Sequence, residues 1–219
     1  MLEPARSPLC SRNGATPSSK FFLARAVTAF LHHETTMDRP ELPSNETARI
    51  AAMGRMGLIG FERDERCQRY ARVAAKVFQA PIAAVSILGP SDQWFRGCEG
   101  LASDGHSRAI SFCGHAIHEP RIFEVQDATL DSRFADNPLV VGEPYVRYYA
   151  GCPIRIPGEL AVGALCIIDR VPRRLAPEQM TLLRDLADCL QSEMSTLLSV
   201  SDMDTVAKEL FQLLPSSGT

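Results

Sequence analysis

Residues Leu160 to Asp169 read LAVGALCIID, ten positions with apolar side chains on both parities and one acid at the end. A strand points alternate residues to opposite faces, so a run apolar at odd and even positions needs cover on both sides. The chain must therefore build a sheet and set material above and below it. Pro157-Gly158-Glu159 is turn chemistry, and Tyr145 to Ile156 before it reads as the partner strand of a hairpin. Ile82 to Leu88 is a second apolar run rich in β-branched residues. It turns at Gly89-Pro90-Ser91-Asp92 and returns over Gln93 to Arg96, which puts Trp94 and Phe95 on opposite faces. Ile122 to Val125 adds a short strand.

The cover comes from three helical patterns. Asn45 can cap a helix over Glu46 to Met56, stopped by Gly57 and Gly60. A second helix is predicted over Glu62 to Phe78, where Cys67, Tyr70, Ala74, Val77 and Phe78 fall at helical spacing. The third starts near Pro177, a residue suited to a first helical position. Its Leu183, Leu186, Leu190, Met194 and Leu197 repeat at three and four, a seam expected to pair two copies. The order gives an α+β domain: one antiparallel sheet flanked by helices on both faces. Its expected extent is residues 40–198, with a C-terminal helix and tail over 199–219. Residues 1–39 read as a disordered or non-native extension, with at most a loose helix across Lys20 to His33, and Met37 is the expected true start.

With 219 residues, 45% of them hydrophobic, the chain can bury a core without staples. A net charge of −3 gives no footprint for nucleic acid and no basic membrane face. No apolar run approaches the roughly 20 residues of a membrane span. Seven cysteines, with no CxxC, fit free thiols in a reducing cytoplasm.

The chemistry concentrates in Ser111 to Glu119, SFCGHAIHE, expected to form a helical lid over a pocket floored by the strands around Cys152 and Cys166. Cys113, His115 and His118 are metal-ligand types, but no fourth ligand is spaced nearby, and no metal site is assigned. The plainer reading makes Cys113 a small buried hydrophobe and gives His115 a buried partner such as Asp127 or Asp131. A redox reading needs a thiolate and a resolving thiol, with Cys98, Cys113, Cys152 and Cys166 as candidates. Asp127 to Val141 is a long irregular connection of the kind that carries function. Within it Asp131 and Asp136 can cap turns and pair with Arg133. Alternatively Arg133 and Asn137 meet an anionic or amide-bearing ligand. Tyr148 and Tyr149 face opposite ways, and one can offer its hydroxyl to the pocket. The expected ligand residues are Phe112, Cys113, His115, Asp127, Asp131, Arg133, Phe134, Asn137, Tyr149 and Cys152. No paired carboxylates or Ser/His/Asp set suggest catalysis.

PIAAVSIL (81–88), QWF (93–95), SFCGHAI (111–117), DATLDSRFADNPLV (127–140), VRYYAGCPI (146–154) and GALCIIDRVPRRL (163–175) together resemble the GAF domain family of bacterial sensor proteins. GFERDER (60–66) departs from the family pattern. The resemblance implies a PAS-like fold, a central antiparallel sheet of five to six strands flanked by helices on both faces, and a sensory module that binds a small molecule and dimerises through terminal helices. It also implies a separate signalling output protein. Cofactor and ligand stay unnamed. Bilin attachment at Cys113 is the family's chromophore chemistry, but the adjacent histidine that goes with it is replaced here by Gly114. The other readings are a free methionine sulfoxide reductase using cysteines, and a dimerisation scaffold without a ligand.

Overall fold

The computed structural model describes residues 37–213, with side chains as far as residue 196; the extension before Met37 and the helix expected at Lys20 to His33 lie outside them. Helix α1 (Glu46–Arg55) and helix α2 (Glu65–Val77) come first. Strand β1 (Ile82–Leu88), strand β2 (Asp92–Glu99) and strand β3 (Gly105–Ser107) follow. A 3-10 turn (Arg108–Ile110) leads into helix α3 (Phe112–Ala116), strand β4 (Phe123–Val125) and helix α4 (Pro138–Val141). Strand β5 (Tyr148–Ile156), strand β6 (Leu160–Asp169) and helix α5 (Pro177–Leu213) complete the order.

The strands form one six-stranded sheet in the order β3-β2-β1-β6-β5-β4. Every pairing is antiparallel. The ten-residue apolar run is β6, hydrogen-bonded to β1 on one side and β5 on the other, and all but its first and ninth residues are buried. Its two parities feed two cores. Leu165 and Ile167 join Ala83, Val85, Ile87, Trp94, Tyr148, Cys152 and Ile154 beneath α1, α2 and α5. Ala164 and Cys166 join Ala84, Leu88, Phe95 and Tyr149 beneath α3 and the connection that follows it. Trp94 and Phe95 thus part to opposite faces, as the pattern requires.

Two elements differ from expectation for local reasons. α2 starts at Glu65, because Asp64 takes an extended conformation and its carboxylate accepts from the Arg66 amide. That is a helix cap, and the chain before it cannot join the helix. α3 is shorter than the nine-residue run, with Ser111 as its cap and Pro120 beyond its end. Strand β3 and helix α4 fall inside segments read as loops.

The seam on α5 is corrected in part. Leu183 and Leu190 are 0% and 1% exposed in the domain's own core, so they are not offered to a second copy. α5 continues unbroken to Leu213. Among the described residues no helix is long and apolar enough to cross a membrane.

α1 is fastened by a polar cluster. Glu46 sits between Arg49 and Arg108, at 2.7 and 2.8 Å. The two guanidinium groups also donate to the carbonyls of Leu88 and Gly89 at the β1–β2 turn. Burial opposes ionisation of Glu46, but the hydrogen bonds and charges of Arg49 and Arg108 outweigh it and hold the carboxyl below its usual range.

Candidate functional site

The sheet face beneath α3 carries Gln93 from β2, Tyr149 from β5 and Cys166 from β6. α3 lowers Phe112 and Cys113 onto them. Its cap sets the angle: the Ser111 hydroxyl accepts from the Gly114 amide at 2.9 Å and donates to the Gln93 side-chain carbonyl. Holding the Gln93 oxygen in this way turns its amide nitrogen toward Cys113, 3.5 Å from the sulfur. The Tyr149 hydroxyl donates to the same sulfur at 3.2 Å. Tyr149 reaches it by lying along β5 over Gly151, where a Cβ would run into its hydroxyl. The Cys166 sulfur lies 3.9 Å from that of Cys113, and the two residues are 0% and 2% exposed.

The two thiols titrate as a pair. The hydrogen bond shared with Cys166 draws the Cys113 thiol down against the pull of burial, and Ser86, Tyr149 and Gln93 add to it. The same contact, with burial, pushes Cys166 up. Burial pushes the phenol of Tyr149 well above its ordinary value, so it stays a donor. The other buried cysteines are unlike Cys113: burial pushes Cys98 and Cys152 up to about 11 and Cys67 up to about 12. Thiols held that high are poor nucleophiles.

The space expected under the lid is mostly occupied by rings. Phe112 stacks on Phe134 with centroids 4.1 Å apart and planes 9° from parallel, and on Tyr149 at 5.3 Å. What remains is a cavity of about 40 Å³ lined by Gln93, Phe95, Phe112, Cys113, Tyr149 and Cys166, among others. Larger hollows lie elsewhere. One of about 240 Å³ sits between the start of α2 and α5, near Arg96. An open groove of about 340 Å³ runs along His115, His118 and Arg133.

Of the residues expected to meet a ligand, Phe112, Cys113, Phe134 and Tyr149 share this core. Cys152 does not: it lies on the opposite face, in the core under the helices, a correction that follows from the pleat. Tyr149 and Cys152 are three apart, and residues an odd number apart on a regular strand face opposite ways.

The polar candidates are engaged locally. The Arg133 fork grips Asp131 at 2.6 and 2.9 Å, a hydrogen-bonded pair that holds the Asp131 carboxyl below its usual range, and the guanidinium lies over the Phe123 ring. Asn137 caps α4 and donates to the Ile110 carbonyl, while Asp127 accepts from Thr129. His115 does not pair with a carboxylate. Its Nε2 meets the Asp38 carbonyl at 3.1 Å, and His118 Nε2 meets that of Glu41 at 3.0 Å. A Cβ at Gly114 would strike Pro40, so residues 38–41 lie directly across the lid. Among the described residues no group of three or more His, Cys, Asp or Glu side chains could hold a metal ion.

Gln93 and Ser111 were not marked as site residues from sequence. Their signal is parity and capping: Gln93 shares a face with Phe95, and Ser111 caps the one helix among the described residues that carries both Cys and His.

Comparison with known proteins follows the same outline. The profile of the GAF domain family matches residues 62–192. A cyclic di-GMP phosphodiesterase of Pseudomonas aeruginosa is 41% identical over 169 residues, which cover 77% of this chain and 29% of that protein. The chain thus spans under a third of the length of this curated relative. The GAF domain of an Acinetobacter phosphoenolpyruvate-protein phosphotransferase superposes with a TM-score of 0.52 at 11% identity, over 73% of this chain and 99% of that one. A type II free methionine-R-sulfoxide reductase from Thermoplasma acidophilum superposes with a TM-score of 0.50 at 14% identity, over 59% of this chain and 90% of that one. At such identities the likeness shows the fold alone.

Proposed function

Because the chain belongs to the GAF domain family, a family of sensory and signalling modules, we propose that it is a regulatory input module that takes a small molecule between the sheet and the segment 111–141. The relative's name suggests the output: a protein or segment that turns over cyclic di-GMP, governed by this module. On this reading two copies pair along the part of α5 beyond Met194, and the module works in the cytoplasm.

The observation that carries the reading is the lid itself. A five-residue helix and a long connection, rather than a packed layer of long helices, close one whole face of the sheet. Sites for drug-sized ligands occupy about 300–1,000 Å³, against about 40 Å³ here. Binding therefore requires Phe112 and Phe134 to leave, and the structure corresponds to the closed member of a pair of states. A ligand shifts that balance only by as much as it prefers the open one. Phe112, Cys113, Phe134 and Tyr149 are the residues we assign to contact it, with His115, Arg133 and Asn137 moving with the lid.

The test is a melting-temperature screen of the chain against nucleotides, amino acids, haem and bilins, followed by hydrogen exchange on any hit. A compound that raises the melting temperature and changes exchange within 111–141 supports the reading. A hit whose protection lies wholly elsewhere, or a screen without a hit, refutes the ligand assignment and leaves a scaffold.

A further inference from the structure

The two sulfurs that meet under the lid differ from every other buried thiol described. We propose that Cys113 is a site of oxidation by small hydroperoxides, with Cys166 as its resolving partner, so that the face beneath α3 closes into a reversible disulfide.

Three features of the geometry converge on Cys113. Its sulfur receives hydrogen bonds from Tyr149 and Gln93, and a third group, Ser111, fixes Gln93 in the donating orientation. Donors aimed at a sulfur favour its thiolate, which is the nucleophile. The second thiol is already in contact, at 3.9 Å. Finally, both sulfurs line one cavity of about 40 Å³, where about 10–15 Å³ on that scale suffices for one water molecule. Hydrogen peroxide, with two heavy atoms, is of the size it admits, whereas bulky oxidants would meet the Phe95, Phe112 and Tyr149 rings that line it. The direction of the Cys113 shift agrees with this assignment.

The chemistry balances as follows. The Cys113 thiolate attacks one peroxide oxygen. The O–O bond breaks, and hydroxide leaves and is protonated to water. Cys113 is now a sulfenic acid. The Cys166 thiol, losing its proton, attacks that sulfur, the S–O bond breaks, and a second water leaves. Two thiols are oxidised and one peroxide is reduced to two waters. A cellular dithiol reverses the step by thiol–disulfide exchange.

Closing the bond has a mechanical side. A disulfide needs about 2.05 Å between sulfurs, so the pair must approach by about 2 Å. Cys166 sits on the central strand, bonded on both sides, and cannot move far. Cys113 sits on a five-residue helix, so α3 does the moving. It carries His115 and His118 away from the carbonyls of Asp38 and Glu41, and residues 38–41 are loosened or dragged along. The bond chemistry stands on the sulfur geometry; only its use as an input rests on the sensory reading above.

The experiment uses the reduced full chain, dilute hydrogen peroxide, and alkylation after denaturation. The expected product leaves two fewer thiols to alkylate and yields a peptide pair joining Cys113 to Cys166, about 2 Da lighter than the two free peptides, which dithiothreitol reverses. Cys166→Ala is expected to stop at a sulfenic acid on Cys113, a gain of about 16 Da that a dione probe traps. Cys113→Ser is expected to keep its mass. Tyr149→Phe, which keeps the ring, is expected to slow the reaction about 3–10-fold. Hydrogen exchange over 37–46 rises in the oxidised form. An unchanged mass, a bond joining other cysteines, or a Cys113→Ser chain that still oxidises at Cys166 overturns the proposal. None of these failures touches the ligand screen, which reads binding and not sulfur.

Discussion

Replacing Phe134 by alanine tests whether the lid is packed shut in solution. Phe134 is 0% exposed. It stacks face to face with Phe112, meets His115 edge-on at 4.9 Å, and carries the Arg133 guanidinium 5.3 Å from its centroid. Phe→Ala changes in cores cost about 3–5 kcal/mol, part from lost transfer and part from the cavity left behind. The sheet below cannot collapse, but the short helix and connection above can settle by a fraction of an ångström. The loss should therefore fall near the lower end, about 3 kcal/mol. Against a typical domain stability of about 5–15 kcal/mol, the variant should still fold. Urea unfolding monitored at Trp94 gives the number, with an unchanged slope showing that the same surface is exposed. The void should join the existing 40 Å³ cavity and take up a small aromatic such as benzene, seen as a rise in melting temperature of the variant but not of the parent. A loss below about 1 kcal/mol, with no aromatic uptake, refutes the reasoning: the ring would then not be seated between Phe112 and His115, and the closed site would not be the state in solution.

Leu190→Ala should cost about 2–5 kcal/mol by urea titration, with sedimentation unchanged, because Leu190 is core and not seam; a shift in oligomeric state at unchanged monomer stability would contradict that placement. Glu46→Gln should cost about 3 kcal/mol, since it leaves two buried guanidinium groups without their carboxylate; a loss under 1 kcal/mol in the same assay would mean water or another acid serves them. Melting temperature should fall as pH is lowered from 7.5 to 5. Burial lowers the folded pKa of His115 and of His106, so their contribution is present above the ordinary histidine value near 6.5 and is lost as pH falls through the folded values. A flat or rising profile would sink the assignment, and His115→Asn should flatten it.

The sheet was legible because β6 reads the same whichever parity is counted, which fixes a central position, and because Trp94 and Phe95 announce a two-sided partner. The helices under the sheet were legible in their apolar spacing. The zipper was over-read for a physical reason: a helix lying on its own sheet and one lying on a second copy show the same three-and-four spacing, and only burial separates them. Cys152 is expected in the pocket only if its whole strand is taken as the floor, although strand parity separates it from Tyr149. The rings that fill the cavity could not be foreseen. Whether Phe112 and Phe134 line a space or occupy it depends on their rotamers, which composition does not encode. The role of Gln93 depends on the Ser111 hydroxyl, 18 residues away, and no local pattern carries it.

α5 runs 37 residues from Pro177 to Leu213, about 55 Å at 1.5 Å per residue. Among the described side chains, the last fully buried one on it is Leu190, with Met194 packed against the same core; the helical backbone beyond them continues as a shaft. Anything joined to that shaft inherits its phase. One residue inserted beyond Met194 turns the far end by about 100° and advances it 1.5 Å, while seven restore the heading to within about 20°. An attached output should thus respond to insertions with the periodicity of the helix, and not in proportion to added length.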